Sequence, residues 1–554
     1  MAIKRLNNLS GTMNQHSAPN LLRDQDSELA INLSQDEDGA IATRAGSDRY
    51  LTQISGTTPV RGLHMFEKPD RTFYLHWVYG GNLYVDISGA WVAQASSEWS
   101  NTSEISMVNF IDRHYMASSA AGEYVRWFTE TGSRTYVKVI STTVSSASTA
   151  STLVATTTIF SSGMVGMKVF NTTDASSAII TAYTDPNIVT LDTAIGDTWD
   201  GDNIEIRLEA KYLAVNGGYM LGVGGTTYPR RGYFTNLDSD KVSVATDYFI
   251  FSSLPTGVTA FGNGRPFVIF YENGYMTADP ATLFTNEVEG FGCVSHKSIA
   301  VLNGNIMYLG RDAFYMLAPN TTHPEKMSLP ISNDVTGDAI FNKIDTANFE
   351  VIGAVATEDR YYCALRSLTG TVKGQTLSYA LVEFDYNQKN WKVDTFNAAQ
   401  LAPFLTRYIT GGKKVVIGGS LTSGTVHKLF QVGTFTDDQA DGQIAAYTSL
   451  YRTKHFVLSS RTEGSFAMNE ISTLEFKYYS SVPISVKVAL DGSHSYATLS
   501  SLPAATTNRY EHASVLFGGN ARTISIELSW TGEARIYEIQ INHESLDIVD
   551  LKAL

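Results

Sequence analysis

Apolar and polar residues alternate with a period of two along most of this chain, in short runs that end at Gly, Asn, Asp or Ser. That period puts one side of each run on a buried face and predicts half-buried β-strands. The stretch NIMYLGRDAFYML, Asn305 to Leu317, is representative: two such runs flank a polar turn. Similar hairpins occur at TFYLHWVYGGNLYVDISGAWV, with Gly80-Gly81 as the turn, and at SMVNFIDRHYMASSAAGEYVRWF. They return at KYLAVNGGYMLGVGG, at RPFVIFYENGYMTAD with an Asn273-Gly274 turn signal, at RYYCALRSLTGTVKGQTLSYALVEFDYNQKNWKV and at KKVVIGGSLTSGTVHKLFQV. A single hairpin is marginal in water, so repeated ones must pack on one another.

The spacing of the hairpins is uneven, roughly 30 to 60 residues, which fits blades better than a strict solenoid. The pattern predicts an all-β protein with a β-propeller-like core built of hairpin blades, because radial repetition hides strand edges. A series of β-sandwiches is the competing architecture. Residues 1–50 lack long strand runs and read as an extended N-terminal arm lying on a surface supplied by something else. The first blades fall in 51–130 and the remaining blades in 211–438. Between them, 131–210 is Ser/Thr-rich and nearly free of Lys and Arg. It predicts an inserted small β-domain with strands at Met167–Asn171, Ala178–Tyr183 and Ile188–Leu191 and a turn at Asp185-Pro186-Asn187. Residues 439–554 carry long alternating strands with Pro483 at an edge-compatible place, and predict a C-terminal β-sandwich-like region. At most one short helix is expected, near Ile340–Asn348.

Composition narrows the class. Charged residues are only 17%, below the usual quarter, which suits half-buried strands joined by polar turns. The formal charge of −14 comes with no basic block, so the sequence has no electrostatic footprint for holding nucleic acid. Cys293 and Cys363 lie far apart and outside any CxxC, and read as buried free thiols. The start, MAIKRLNNLS, has no apolar segment of the secretory kind, and no apolar run is long enough to span a membrane.

No catalytic constellation and no cofactor motif emerges. Acidic loops occur at Asp24, Asp26 and Glu28, at Asp36, Glu37 and Asp38, and at Asp197, Asp200 and Asp202. Oxygen-rich loops can hold calcium, and the last is the best candidate, yet none has EF-hand spacing and Asp and Gly are also ordinary turn residues. Glu287, Glu289 and Asp112 are conceivable carboxylates for sugar hydrolysis, although the sequence gives no reason to prefer them to solvated acids. The glycines of NGGYMLGVGG at 216–225 lack the Lys-Ser/Thr and helix of a phosphate loop. His76, His114, His296 and His427 stand singly in strand-like settings and read as packed or surface histidines. Arg230 and Arg231 in YPRRGYF suit pairing with carboxylates of a neighbouring chain, or contact with a phosphate backbone.

One family resembles these residues. FGNGRPFVIFYENGYMTAD followed by GCVSHKSIAVLNGNIMYLGRDAFYMLAP looks like the core of tail nozzle or tail hub proteins (tail tube protein B-like) of short-tailed bacteriophages. LVEFDYNQKNWKV at 381–393 resembles a strand–turn–Trp blade of that family, and NLLRDQDSELAINLSQDEDGAIATRAG at 20–46 resembles its N-terminal segment. FSSGMVGMKVFNTTDASSAIITAY at 160–183 is similar to small β-modules inserted in phage tail proteins. The resemblance implies a non-enzymatic structural virion protein, made in the host cytoplasm and located in the tail. It implies a homo-oligomeric ring, usually a hexamer, below the portal and adaptor. The ring would extend the DNA ejection channel, touch viral double-stranded DNA only transiently and dock tail fibres or spikes. An acidic lumen would let DNA slide, since phosphates attach to Lys and Arg. The alternative is a receptor-binding or glycan-degrading tail protein.

Overall fold

The computed structural model describes residues 2–9, 11–17, 22–35, 39–129, 134–193, 199–262, 266–332, 337–344, 353–366, 368–377, 379–396, 404–410, 413–438, 444–458, 468–505 and 510–545. The protein is all-β and is built from many small, mostly antiparallel sheets; helix among the described residues is confined to single 3-10 turns. One of those turns, Phe341–Lys343, lies where a short helix was expected. The chain divides into two compact units.

The unit formed by Thr58–Asp312 with Met316–Glu325 contains four-stranded meanders in which neighbours in sequence are neighbours in the sheet. The first comprises Val60–Glu67, Phe73–Tyr79, Asn82–Ile87 and Ala90–Ala95. The second comprises Ile105–Phe110, Arg113–Ser118, Arg126–Phe128 and Arg134–Tyr136. The third runs through Tyr212–Asn216, Tyr219–Val223, Arg231–Phe234 and Tyr248–Ile250, and the fourth through Gly257–Ala260, Phe267–Phe270, Gly274–Asp279 and Phe284–Glu289. The opening strand of each meander lies beside the opening strand of the next. Val78, Leu83 and Val85 of the first meander share a core with Ile105, Met107 and Phe128 of the second. Leu221, Phe234 and Phe249 of the third do the same with Val258, Phe267 and Ile269 of the fourth. The alternation read from sequence thus buries one meander's face against its neighbour's.

Turn chemistry fixes these hairpins. Gly80 and Gly81 both have positive φ (57° and 77°), as the tight turn between twisted strands requires. Asn303 and Gly304, φ 49° and 75°, do the same between Ala300–Leu302 and Asn305–Leu309. Asn273-Gly274 works differently. Gly274 is already in the strand, paired with Glu289, and a Cβ there would lie 2.5 Å from the Val288 carbonyl oxygen, so close approach and not turn conformation requires the glycine. At Asp185-Pro186-Asn187 the turn is held by the Asp185 Oδ1, which accepts from the Asn187 amide at 2.7 Å. NIMYLGRDAFYML forms the strands Asn305–Leu309 and Phe314–Leu317 of a further four-stranded sheet.

Between the second and third meanders, Lys138–Thr143, Thr152–Val154, Lys168–Asn171, Ser177–Asp185, Ile188–Leu191 and Asn203–Arg207 form a six-stranded sheet. Its core includes Leu153, Val169, Ile180, Val189, Trp199 and Ile206.

The other unit comprises Met1–Thr57, 313–315 and Lys326–Leu554. Here the described residues of 1–50 depart from the expected arm: their strands pair with strands of their own chain. Ala2–Leu6 and Ile41–Thr43 pair with Ala534–Ser545, and Leu33–Gln35 pairs with Ile41–Thr43. Gly46–Arg49 is the fourth strand beside Phe404–Thr410, Lys413–Gly419 and Val426–Gln431. Ser27–Ile31 joins two systems. It pairs in parallel with Asn390–Asp394, the last strand of a meander with Gly353–Ala356, Arg360–Arg366 and Tyr379–Asp385, and antiparallel with Ser449–Thr453. The physical reason is apolar content: Leu6, Leu9, Leu29, Ile31, Leu33 and Ile41 are all buried, more than a free arm could expose. Together with Asn469–Ser480, Glu511–Ala521, Ser485–Leu490 and Thr523–Trp530, these strands make two sheets around one core containing Ile471, Phe476, Val486, Ile526, Trp530 and Ile539.

Arg44 ties this unit together. It is 2% exposed. Its guanidinium donates to both Asp437 carboxylate oxygens (3.0 and 2.5 Å), to Asn32 Oδ1 (3.1 Å) and to the carbonyls of Ala45 (2.9 Å) and Thr395 (3.1 Å). The rings of Phe396 and Tyr447 sandwich it, 4.3 and 3.7 Å from centroid to Cζ. Two residues on, a Cβ at Gly46 would lie 2.0 Å from the Thr436 carbonyl oxygen, which explains the Arg-x-Gly spacing. Removing one partner of a buried pair strands the other charge, so Arg44→Ala should lower the stability of this unit by about 3–5 kcal/mol. Chemical denaturation of wild type and variant, followed by tryptophan fluorescence, measures it; a loss below about 1 kcal/mol would show that solvent reaches Asp437.

Candidate functional site

Of the residues singled out by sequence, the acidic loops and arginines are not brought together, whereas His76 and His114 meet. Asp197 lies outside the described residues, as do Asp36, Glu37 and Asp38. Asp200 is exposed, and the Asp202 carboxylate accepts from Asn171 Nδ2 at 2.7 Å, holding a turn. Asp24 pairs with Lys4 and Lys454, and Asp26 with Arg23. Asp112 sits at φ 57° in a hairpin turn. Arg231 stacks on Tyr228 at 4.0 Å within its own unit, and Arg230 is exposed. Both cysteines are buried free thiols, and burial pushes Cys293 up to about 12.

Three arrangements have chemical content. The first is an open groove of about 730 Å³ lined by Tyr271, Glu272, Glu287, Glu289, Arg311 and Asp312. Glu272 pairs with Arg311, and Glu287 accepts from the Ser252 hydroxyl. Glycoside hydrolysis needs one carboxylic acid kept protonated, usually by burial, opposite a second carboxylate. Glu287 and Glu289 are exposed on their strand, so the groove supplies sugar-sized space without that pairing.

The second is a histidine chain between the first two meanders. Strand pairing sets His64 opposite His76, and His114 enters from the neighbouring sheet. His114 Nδ1 lies 2.6 Å from His76 Nδ1, and His114 Nε2 lies 3.1 Å from His64 Nδ1. Phe66 stacks on His114 at 5.6 Å. Burial pushes His64 down to about 4 and His76 to about 3, the His64 imidazole adding to the latter; burial, with His76 and His64 beside it, holds His114 well below its ordinary value. All three are therefore neutral at pH 7, and each ring offers one N–H for the chain.

The third arrangement was not visible in the sequence. Glu28 lies on Ser27–Ile31, His455 between Ser449–Thr453 and Phe456–Val457, and His494 in the loop between Ser485–Leu490 and Ala497–Thr498. One carboxylate oxygen and one nitrogen from each imidazole come within 4.8 Å of one another. Glu28 is 1% exposed and His455 2%, yet neither Glu28 oxygen accepts a hydrogen bond and neither His455 nitrogen has a partner. Lys373 Nζ stands 3.4 Å and His494 Nδ1 3.7 Å from Glu28 Oε1. Beside them, Arg452 donates to Glu527 Oε2 at 3.1 and 2.5 Å and covers the Tyr496 ring at 4.4 Å. Glu28 was legible only as part of an acidic loop, and nothing in the spacing of His455 and His494 marks them.

No family model and no curated protein matches this sequence. Among solved structures the chain is similar to PorZ, described as an essential bacterial surface component of the type-IX secretion system of Porphyromonas gingivalis. Identity is 11% and the TM-score 0.26; the match covers 67% of this chain and 42% of PorZ. A likeness of that size carries no inference about fold or activity.

The buried histidines make acid stability a readout. An unfolded imidazole takes its proton near 6.5, whereas burial holds His64, His296 and His427 neutral down to about 4 and His76 to about 3. Below 6.5 the unfolded state therefore binds more protons, and stability falls with pH. Asp394, pushed up to about 7 by burial, acts in the opposite sense, as one group against these histidines. Melting temperature should be flat above about pH 7 and drop steadily between about pH 6.5 and 4, and His76→Gln should flatten the slope. A melting temperature constant down to pH 4 would contradict this assignment.

Proposed function

We propose that this chain is a structural subunit of a short-tailed phage tail: a propeller-like body that assembles with copies of itself into a six-membered ring extending the DNA channel. The observation that carries the reading is the succession of four-stranded meanders whose opening strands lie side by side within Thr58–Asp312. That order is how blades bury one another's faces without leaving long free edges. The pattern resemblance of 261–279, 292–319 and 381–393 to tail nozzle proteins is what suggests that family. The chain's formal charge of −14 supports a lumen along which DNA slides without sticking. The adaptor or portal above and fibres or spikes at the side are the partners this reading assigns, and it involves no catalytic step.

Contacts between copies need exposed apolar anchors. Leu283 and Phe284, 62% and 60% exposed, stand at the head of the outer strand of the fourth meander, and Ile250 is 65% exposed on the outer strand of the third. An exposed outer strand of this kind is a ready template for another chain.

Electron microscopy and mass measurement of the purified protein, alone and with its adaptor, test the proposal. A sixfold ring with a central pore is expected. Leu283→Ser combined with Phe284→Ser should shift rings to monomers at unchanged melting temperature. A stable monomer that cleaves polysaccharide would overturn the proposal in favour of the glycan-degrading reading, for which the Glu272–Glu289 groove is the available space.

A further inference from the structure

We propose that Glu28, His455 and His494 bind a divalent transition-metal ion of the zinc class, independently of any assembly role. Two imidazoles and one carboxylate are a donor set such ions favour, with a fourth position left for water. Three observations converge. The donors come from three separate elements, the Ser27–Ile31 strand and two connections of the C-terminal sheets, yet they meet within 4.8 Å. Glu28 and His455 are almost wholly buried. Their four polar atoms make no hydrogen bond within the protein, a cost that folded proteins rarely carry without an ion or an ordered water.

The Lys373 ammonium at 3.4 Å balances the Glu28 charge when no metal is bound, but it leaves both nitrogens of His455 unexplained. A cation at the centre engages one of those nitrogens and competes with Lys373 for the carboxylate. Tetrahedral coordination with ligands at about 2.0–2.2 Å sets donors about 3.3 Å apart. The donors must therefore close by up to about 1.5 Å, a movement to which His494 contributes, its side chain being 61% exposed on its loop. The exposed side of His494 also gives the ion an entry path and a place for the water. Bound there, the ion would clip the strand that joins the Asn390–Asp394 meander to the C-terminal sheets.

The test uses the full chain, stripped with a chelator, titrated with Zn²⁺ by calorimetry and with Co²⁺ by visible absorption. We expect one ion per chain, an intense four-coordinate Co²⁺ spectrum and a melting temperature a few degrees higher with Zn²⁺. His494→Ala, at an exposed position that leaves the fold intact, should weaken binding at least tenfold, and Lys373→Met should tighten it. No saturable binding, or equal affinity in wild type and His494→Ala, would overturn the proposal and leave the three residues as a polar cluster without an ion.

Discussion

The buried Arg44 guanidinium is the constraint on which the unit containing both chain termini depends. A charge at 2% exposure is tolerable only if every donor is satisfied, and this one reaches Asn32, Ala45, Thr395 and Asp437 and lies between two aromatic rings. Those partners come from segments hundreds of residues apart in sequence. Each must be in place before the guanidinium is paired, so the pair penalises any register but one. Gly46 enforces the same register sterically, because only a residue without Cβ fits against Thr436. The short N-terminal strands, weak individually, therefore gain a single set of positions.

That constraint also sets the order in which the fold can form. The meanders of Thr58–Asp312 pair strands that are neighbours in sequence, so their loops close cheaply. The two sheets holding Ala2–Leu6, Ser27–Ile31 and Ile41–Thr43 need partners near 390, 450 and 540. Contacts of such separation form late and slowly. Leu6, Leu29 and Ile31 are therefore covered only through partners far along the chain. The many polar Asn, Gln and Ser residues interspersed there keep the segment from being a continuous apolar edge.

Local features were legible in the sequence. Alternation placed the hairpins, Gly80-Gly81 placed a tight turn, and the strands of the Ser/Thr-rich stretch fall within two residues of their expected ends. What failed was everything decided by distant partners. Residues 1–50 look like an arm because their strands are only three to five residues long and break at every turn signal. Period alone cannot say that Ser27–Ile31 completes two other sheets. Glu28 looked like a loop acid because it ends an acidic run, yet its strand pairs on both sides and buries it. His64 gave no signal at all, since a histidine in an alternating strand is ordinary until the opposite sheet supplies His114.

The two histidine clusters show how one residue type is put to opposite uses by its surroundings. In the His64–His114–His76 chain both nitrogens of His114 are partnered by the other two rings, although His76 Nε2 makes no hydrogen bond, so the group is held together and neutral. At His455 no such neighbour exists: His494 meets its ring edge to face at 6.2 Å, and the nearest acid is Glu28. A neutral ring there leaves at least one lone pair unsatisfied, close to a carboxylate that accepts no hydrogen bond. Unpartnered buried acceptors of this kind are costly, and a cation beside them removes the cost. Lys373 reaches the carboxylate from one side only, whereas a small dication at the centre satisfies the lone pair and the carboxylate together.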